Sequence, residues 1–244
     1  MGTATEVTLV TGAGSGLGAA TARVFAEAGS AVAILDRDEE RARNVCRELA
    51  SAGHDVMAVA VDVSDDASVS RAVDMVMARW GQIDNAISCA GVDYVVPVSE
   101  MTVEQWDRVL GVNLRGPFLV ARSVLPEMQS RRTGDIVNVA STAAVRAWGS
   151  ASAYHASKWG LVGFSRGLGV ECREFGIRVT TIIPGGMKTH WFDRFPEQGI
   201  PLPDEQHLQD PATVARSILF ATRVPRDSAV QELMVTPLTE TSWP

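Results

Sequence analysis

The sequence predicts an α/β protein, a single doubly wound domain whose parallel sheet of about seven strands carries helices on both faces. Three observations lead there. Apolar, β-branched runs alternate with helix-period segments along most of the 244 residues, the pattern of repeated β-α-β units. Those runs are apolar throughout rather than every second residue, which suits strands buried on both faces. A glycine-rich turn, Thr11-Gly-Ala-Gly-Ser-Gly-Leu-Gly18, joins the first run to the first helical segment.

The strand-like runs are 8–11, 31–35, 56–61, 83–88, 136–140 and 178–183, with a short seventh at 232–235. The intervening helices carry their own punctuation. Segments 19–28 and 38–52 end at Gly29 and Gly53, both placed as C′ glycines. Val69, Val73, Val76 and Trp80 recur at helical spacing before Gly81. Thr102-Val-Glu-Gln105 reads as a capping box opening a long helix over 102–129, and another is expected over 152–175. Asp210-Pro211 opens a late helix. The one long irregular stretch, 185–209, is read as a substrate lid, or as a loop whose aromatics pack on the core or a neighbouring subunit.

Composition narrows the function classes. At 46% hydrophobic the chain can bury a large core as one domain over 1–244. A formal charge of −7 argues against nucleic acid or an anionic membrane as the main partner. No apolar stretch approaches the roughly 18 residues of a membrane span. The amino end lacks the basic start of a signal peptide, and Glu6 stands where a myristoylation motif at Gly2 needs Ser or Thr. Cys46, Cys89 and Cys172 have no metal-ligand spacing. The expectation is a cytoplasmic protein with reduced thiols and no metal.

Chemistry concentrates at two places. Tyr154 and Lys158 stand four apart, so a helix puts both on one face. Ser141 lies thirteen residues upstream, at the end of a strand-like run. A phenol titrates near pH ~10 and is a poor acid or base at neutrality until a nearby ammonium stabilises the phenolate. A serine hydroxyl can donate to a substrate oxygen as charge develops there. The plainer alternative is a surface Tyr and Lys beside a turn serine. At the amino end, Gly12 permits a tight turn, and Gly16 and Gly18 allow backbone to approach a phosphate at the helix terminus. Asp36, eighteen residues after Gly18, ends the second strand where a carboxylate takes ribose hydroxyls and repels a 2′-phosphate; its alternative is a loop residue or helix cap. Arg37 complicates this, because a guanidinium can serve that phosphate.

Together these residues resemble the short-chain dehydrogenase/reductases, from Thr11 to about Val235. The pattern T-G-x-x-x-G-x-G, Ser141 with Y-x-x-x-K, Asp62-Val63, Asn113, and Pro184-Gly185 leading to Thr189 occur in the family's order. The resemblance implies a Rossmann-type fold in which Tyr154 exchanges a proton with substrate, Lys158 lowers its pKa and binds the nicotinamide ribose, and Ser141 positions the carbonyl or alcohol. It places Gly12, Ser15, Gly16, Leu17 and Gly18 at the pyrophosphate, Asp62 and Val63 at the adenine, and Cys89, Ala90 and Gly91 beside the adenosine ribose. Pro184, Gly185, the Met187 backbone and Thr189 would hold the nicotinamide end. Ser15 stands where NADP-preferring relatives often carry a base, so with Asp36 the cofactor is expected to be NAD rather than NADP.

In relatives the Asn113 carbonyl holds a water that links the lysine to solvent. Pro117, four residues on, has no N–H to bond that carbonyl. A kink over 113–117 with a relay water on Asn113 is therefore expected; the alternative is that Gly116-Pro117 relieves helix packing. One departure stands out: Ser88-Cys89 replaces the family's paired asparagines, so local sheet contacts must be made differently, with Cys89 acting as a small hydrophobe.

Substrate-pocket candidates are Asp93, Tyr94 and Val95, residues 143–148 and the lid. Arg146 offers a cation to a carboxylate or phosphate, or is a solvated loop residue. Trp148, Trp191 and Phe192 suggest an apolar or ring-bearing substrate portion, or subunit contacts. His155 is read as packing, and Trp243 as an oligomer anchor. The resulting expectation is an NAD-dependent oxidoreductase that interconverts a secondary alcohol and a ketone as a homo-oligomer, dimer or tetramer. The alternatives are a 3-oxoacyl-thioester (acyl-carrier-protein) reductase and a catalytically idle NAD-binding regulator.

Overall fold

The computed structural model describes residues 5–193, 195–196 and 200–240, so the readings of Gly2 and Trp243 fall outside the described residues. The chain runs β1 (Val7–Thr11), α1 (Gly16–Glu27), β2 (Ala31–Asp36), α2 (Glu39–Ser51), β3 (Val56–Ala60), α3 (Asp66–Trp80) and β4 (Asn85–Ser88). It continues through α4 (Val103–Leu110), a π-helical turn at Gly111–Arg115, α5 (Gly116–Arg131), β5 (Gly134–Val139), α6 (Ser152–Cys172), β6 (Ile177–Pro184), α7 (Pro211–Arg223) and β7 (Glu232–Val235). All seven strands pair in parallel, in the order β3-β2-β1-β4-β5-β6-β7. The order reverses between β1 and β4, and in such sheets ligands bind in the crevice beyond the strand carboxyl ends at that point.

The apolar runs become the buried strands. Every residue of β1, β5 and β6 is buried, whereas the edge strands β3 and β7 are partly open. Alternate side chains of one strand serve opposite layers. Ala31, Ala33 and Leu35 of β2 join the core beneath α3 and α5, while Val32 and Ile34 join the core beneath α1, α2 and α7. Helix ends follow the sequence. Thr102 and Gln105 form both bonds of the capping box. Asp38, Asp65 and Asp210 each accept a backbone N–H at a helix start, and Gly81 closes α3 in the left-handed conformation at φ 74°.

The predicted single helix over 102–129 is corrected to α4, a π turn and α5. Gly116 N–H donates to Gly111 O, five residues back, at the place where Pro117 cannot donate to Asn113. The expected irregularity takes this form. Among the described residues, no helix is long and apolar enough to cross a membrane.

Candidate active site

The β1–α1 turn is built for close approach. Gly12 has φ 66°, and a Cβ there would lie 2.7 Å from Ala90 Cα, so the tips of β1 and β4 touch only because the side chain is missing. A Cβ on Gly18 would lie 2.1 Å from Gly12 O, which forces glycine where the helix turns back onto the strand. Ser15 makes no side-chain cap, so the first N–H groups of α1, at Gly16, Leu17 and Gly18, lack the bond a cap would give them. At the end of β2, Asp36 accepts Gly14 N–H at 2.9 Å and Asp38 N–H at 2.9 Å, one on each oxygen. Two main-chain donors thus orient the carboxylate beside the glycine turn, and Arg37 next to it is exposed. These residues fit a dinucleotide: an uncapped helix terminus for the phosphates, backbone with no side chain in the way, and an oriented acceptor for the ribose.

Past β3, Asp62 accepts from Ser64 N and Oγ (2.9 and 2.6 Å) and pairs with Arg108 at 3.1 Å. Its carboxyl sits below the usual range: desolvation, the largest single effect, pushes it up, but the Ser64 bonds and Arg108 outweigh that. Val63 packs against Gly116, where a Cβ would come within 3.1 Å of its side chain. Past β4, Ala90 N–H donates to Thr11 Oγ1 at 3.3 Å, and Cys89 Sγ lies 4.0 Å from Thr21 Oγ1. These contacts stand in for the missing asparagines. Burial pushes the Cys89 thiol up to about 12, consistent with a packing role.

Asn113 does more with its side chain than the sequence suggested. Its Oδ1 accepts Val92 N–H at 2.8 Å, and its Nδ2 donates to Val92 O at 2.8 Å and to Ser157 Oγ at 3.0 Å. One buried amide ties the irregular segment following Gly91 to the helix carrying Tyr154. The signal was in the residue type, but its partners are 21 and 44 residues away.

Ser141 stands just past the carboxyl end of β5, and Tyr154 and Lys158 stand in the first turns of α6. Ser141 Oγ accepts Ala143 N–H at 3.1 Å and thereby caps the short turn Thr142–Ala144. Tyr154 and Lys158 share a face of α6, with Nζ 5.6 Å from the phenol ring centroid. Lys158 is buried and donates to Val139 O at 2.8 Å. Desolvation lowers its pKa to about 8, against smaller opposing influences of Cys89 and Asp93. A Cβ at Gly91 would lie 3.9 Å from Lys158 Nζ, 3.6 Å from Asn113 Oδ1 and 3.8 Å from the Trp191 ring, so these groups converge on one glycine.

Pro184 ends β6, and Gly185 N–H donates to Val235 O at 2.9 Å. Thr189 lies over Gly16, its side-chain carbons 3.5 Å from where a Cβ would stand, and its hydroxyl caps Trp191 N. The loop from 185 to 209 is clipped at its base: Met187 bridges Gln209, Lys188 N–H donates to Gln209 O, and Gln209 N–H donates to Gly186 O. Trp191 leans on Tyr154 with ring centroids 5.5 Å apart. Tyr94 is half-buried beyond β4.

Three pocket candidates find partners within the chain. Arg146 does not hold its cation open for substrate; it makes a bidentate pair with Glu240 at 3.2 Å and lies 5.6 Å over the Trp148 ring. Trp148 itself stacks on His155, centroids 4.4 Å apart, at the surface. Phe192 packs on Phe195 at 5.2 Å and faces a cavity of about 770 Å³ between α1, the loop and α7. That cavity reaches the site through Gly16 and Thr189 but not through Ser141, Tyr154 or Lys158, so the chemistry is placed by the side chains rather than by cavity size.

The short chain dehydrogenase family profile matches residues 6–198. The chain is 34% identical over 232 residues to a (2S)-[(R)-hydroxy(phenyl)methyl]succinyl-CoA dehydrogenase subunit of Thauera aromatica, covering 90% of each. It is 41% identical over 179 residues to the D-threitol dehydrogenase of Mycolicibacterium smegmatis, covering 73% of this chain and 69% of that one. An actinorhodin polyketide ketoreductase variant crystallised with NADPH superposes with a TM-score of 0.89 at 31% identity, over 97% of this chain and 98% of that one. With the glycine turn, Ser141, Tyr154 and Lys158 assembled at the switch point of a seven-stranded parallel sheet, the chain belongs to the short-chain dehydrogenase/reductase family of oxidoreductases.

Proposed function

We propose that the protein is an NAD-dependent dehydrogenase interconverting a secondary alcohol and a ketone. The observation that carries this reading is the Tyr154–Lys158 pair, a phenol held beside a buried cation where the glycine turn opens. When bound, the nicotinamide supplies the hydride acceptor or donor. Tyr154 Oη takes the hydroxyl proton during oxidation and returns it during reduction. Ser141 donates its hydroxyl proton to the same oxygen, stabilising the negative charge that gathers there. Lys158 keeps the phenolate accessible near neutral pH. Trp191 leans on Tyr154 and in this reading shields the reacting atoms from water.

The test is nicotinamide reduction with D-threitol, butane-2,3-diol, cyclohexanol and 1-phenylethanol, and oxidation with the matching ketones. Activity confined to acyl-thioester ketones would favour the reductase alternative. Wild type as inactive as Tyr154→Phe on the whole panel would favour the idle regulator.

The NAD preference is argued from Asp36, whose carboxylate, held by Gly14 and Asp38 N–H at the end of β2, is available to accept ribose hydroxyls. The relative crystallised with NADPH and the exposed Arg37 are the case for NADP. Asp36→Ala removes a charged hydrogen-bond partner worth about 1.5–3 kcal/mol. The NAD-to-NADP ratio of kcat/KM is then expected to fall by about 10- to 100-fold; an unchanged ratio rules out the role given to Asp36.

A second copy of the chain is the proposed partner for the outer face of α4, α5 and α6. These helices expose Trp106, Phe118, Trp159 and Val170, large apolar side chains that an association between copies would cover. Phe118→Glu is expected to shift the sedimentation profile toward monomer. A wild-type profile at monomer mass would exclude this face as an interface.

A further inference from the structure

The serine and tyrosine of the site stand on different elements. Their hydroxyls can meet one substrate oxygen only if the loop after β5 keeps a fixed register against α6. Lys158 fixes the strand end through Val139 O. The loop itself is held by His155, the residue directly after Tyr154. His155 Nδ1 bonds Ala143 O at 2.8 Å, and Trp148 N–H donates to His155 Nε2 at 3.1 Å.

These two bonds dictate the state of the ring. An amide N–H at Nε2 requires a lone pair there, and a carbonyl at Nδ1 requires a proton there. Only the neutral Nδ1–H imidazole satisfies both. Ala143 is buried and gripped from both sides, since its own N–H donates to Ser141 Oγ at 3.1 Å. A line of two hydrogen bonds therefore runs from the imidazole beside Tyr154, through the backbone of one residue, to the Ser141 hydroxyl. At the other end of the loop, the Trp148 indole closes edge-on over the imidazole at 72°, with Arg146 on its face and Glu240 on Arg146.

We propose that His155 is a positioning residue: through Ala143 it sets the reach of Ser141 relative to Tyr154, and through Trp148 it fixes the loop on the substrate side. This rests on the alcohol–ketone reading above, and it separates into two halves. An asparagine amide can occupy the Nδ1 position and keep the bond to Ala143, while a glutamine amide reaches the Nε2 position and keeps the bond to Trp148. Phenylalanine keeps the ring against Trp148 and loses both bonds.

The experiment uses the full-length enzyme with whichever alcohol of the panel it oxidises fastest. His155→Asn is expected to keep most of kcat with a raised KM. His155→Gln and His155→Phe should lose kcat by about 10- to 100-fold, the effect of misplacing a reacting group by roughly an ångström. Cofactor affinity should stay at the wild-type value in all three, because the bonds concerned lie on the substrate side. Equal kcat in all three variants overturns the proposal, and so does a loss that follows melting temperature alone. Ring-nitrogen chemical shifts of the wild type, assigned by the signal missing in His155→Asn, give a readout free of substrate. They should show an Nδ1-protonated imidazole; an Nε2-protonated ring overturns the proposal. Nδ1 protonation in an enzyme that oxidises no alcohol would instead uphold the link to Ala143 and refute the alcohol–ketone reading.

Discussion

Tyr154→Phe is expected to lower kcat in both directions by a factor on the order of 100 to 10,000, the range for loss of a positioned acid–base group. The substitution removes one oxygen and keeps the ring that packs 5.5 Å from Trp191. Folding and cofactor affinity should therefore remain at wild-type values, and tryptophan fluorescence during cofactor titration checks the latter. The fall should appear in kcat rather than in KM, because the proton moves only as the reaction proceeds. A variant with a tenth or more of wild-type kcat would mean that another group handles the proton.

Lys158→Met is expected to abolish measurable turnover and to change how stability depends on pH. The folded protein holds the Lys158 pKa at about 8 because burial strips water from the ammonium. The unfolded chain binds the same proton with a pKa near 10.4. The folded pKa is the lower one, so the unfolded state binds the proton more tightly and wild-type stability rises between these two values. Below about 8 the cost of burying the charge is present in full. Methionine carries no such cost, although it also gives up the bond to Val139 O. The stability of the variant relative to wild type should therefore shrink by about 2 kcal/mol between neutral pH and pH ~10. Denaturant melts of both proteins across that range measure it. Parallel curves would show that the lysine is solvated in the folded state.

Much of this site was legible in the sequence because its chemistry admits few substitutes. A phenol tuned by an ammonium needs Tyr and Lys one helical turn apart, and a phosphate approached by backbone needs glycines. Those demands are local, so the sequence displays them at Gly12–Gly18, Tyr154 and Lys158. Pro117 is local in the same sense, and the π turn appears where its missing N–H falls. Arg146 was not legible. Its partner Glu240 lies 94 residues away, and nothing near Arg146 announces it. His155 was hidden differently: its neighbours are close in sequence, but their value depends on how the loop folds back over α6. Strand limits moved by one or two residues, as at β4, which starts at Asn85 while Asp84 still bonds Val7 and Asp135 through its backbone.

The clip at the base of the loop between Lys188 and Gln209 has a consequence for how such a protein can diversify. Two main-chain hydrogen bonds, which together make the Met187–Gln209 bridge, close the ring of chain where it leaves the sheet. The entropy of bringing those ends together is met at the base and grows only slowly with the number of residues between. The number of residues beyond the bridge can change while the strand register beneath is kept, whereas Thr189 and Trp191, set against Gly16 and Tyr154, tie the near end of the loop to the site.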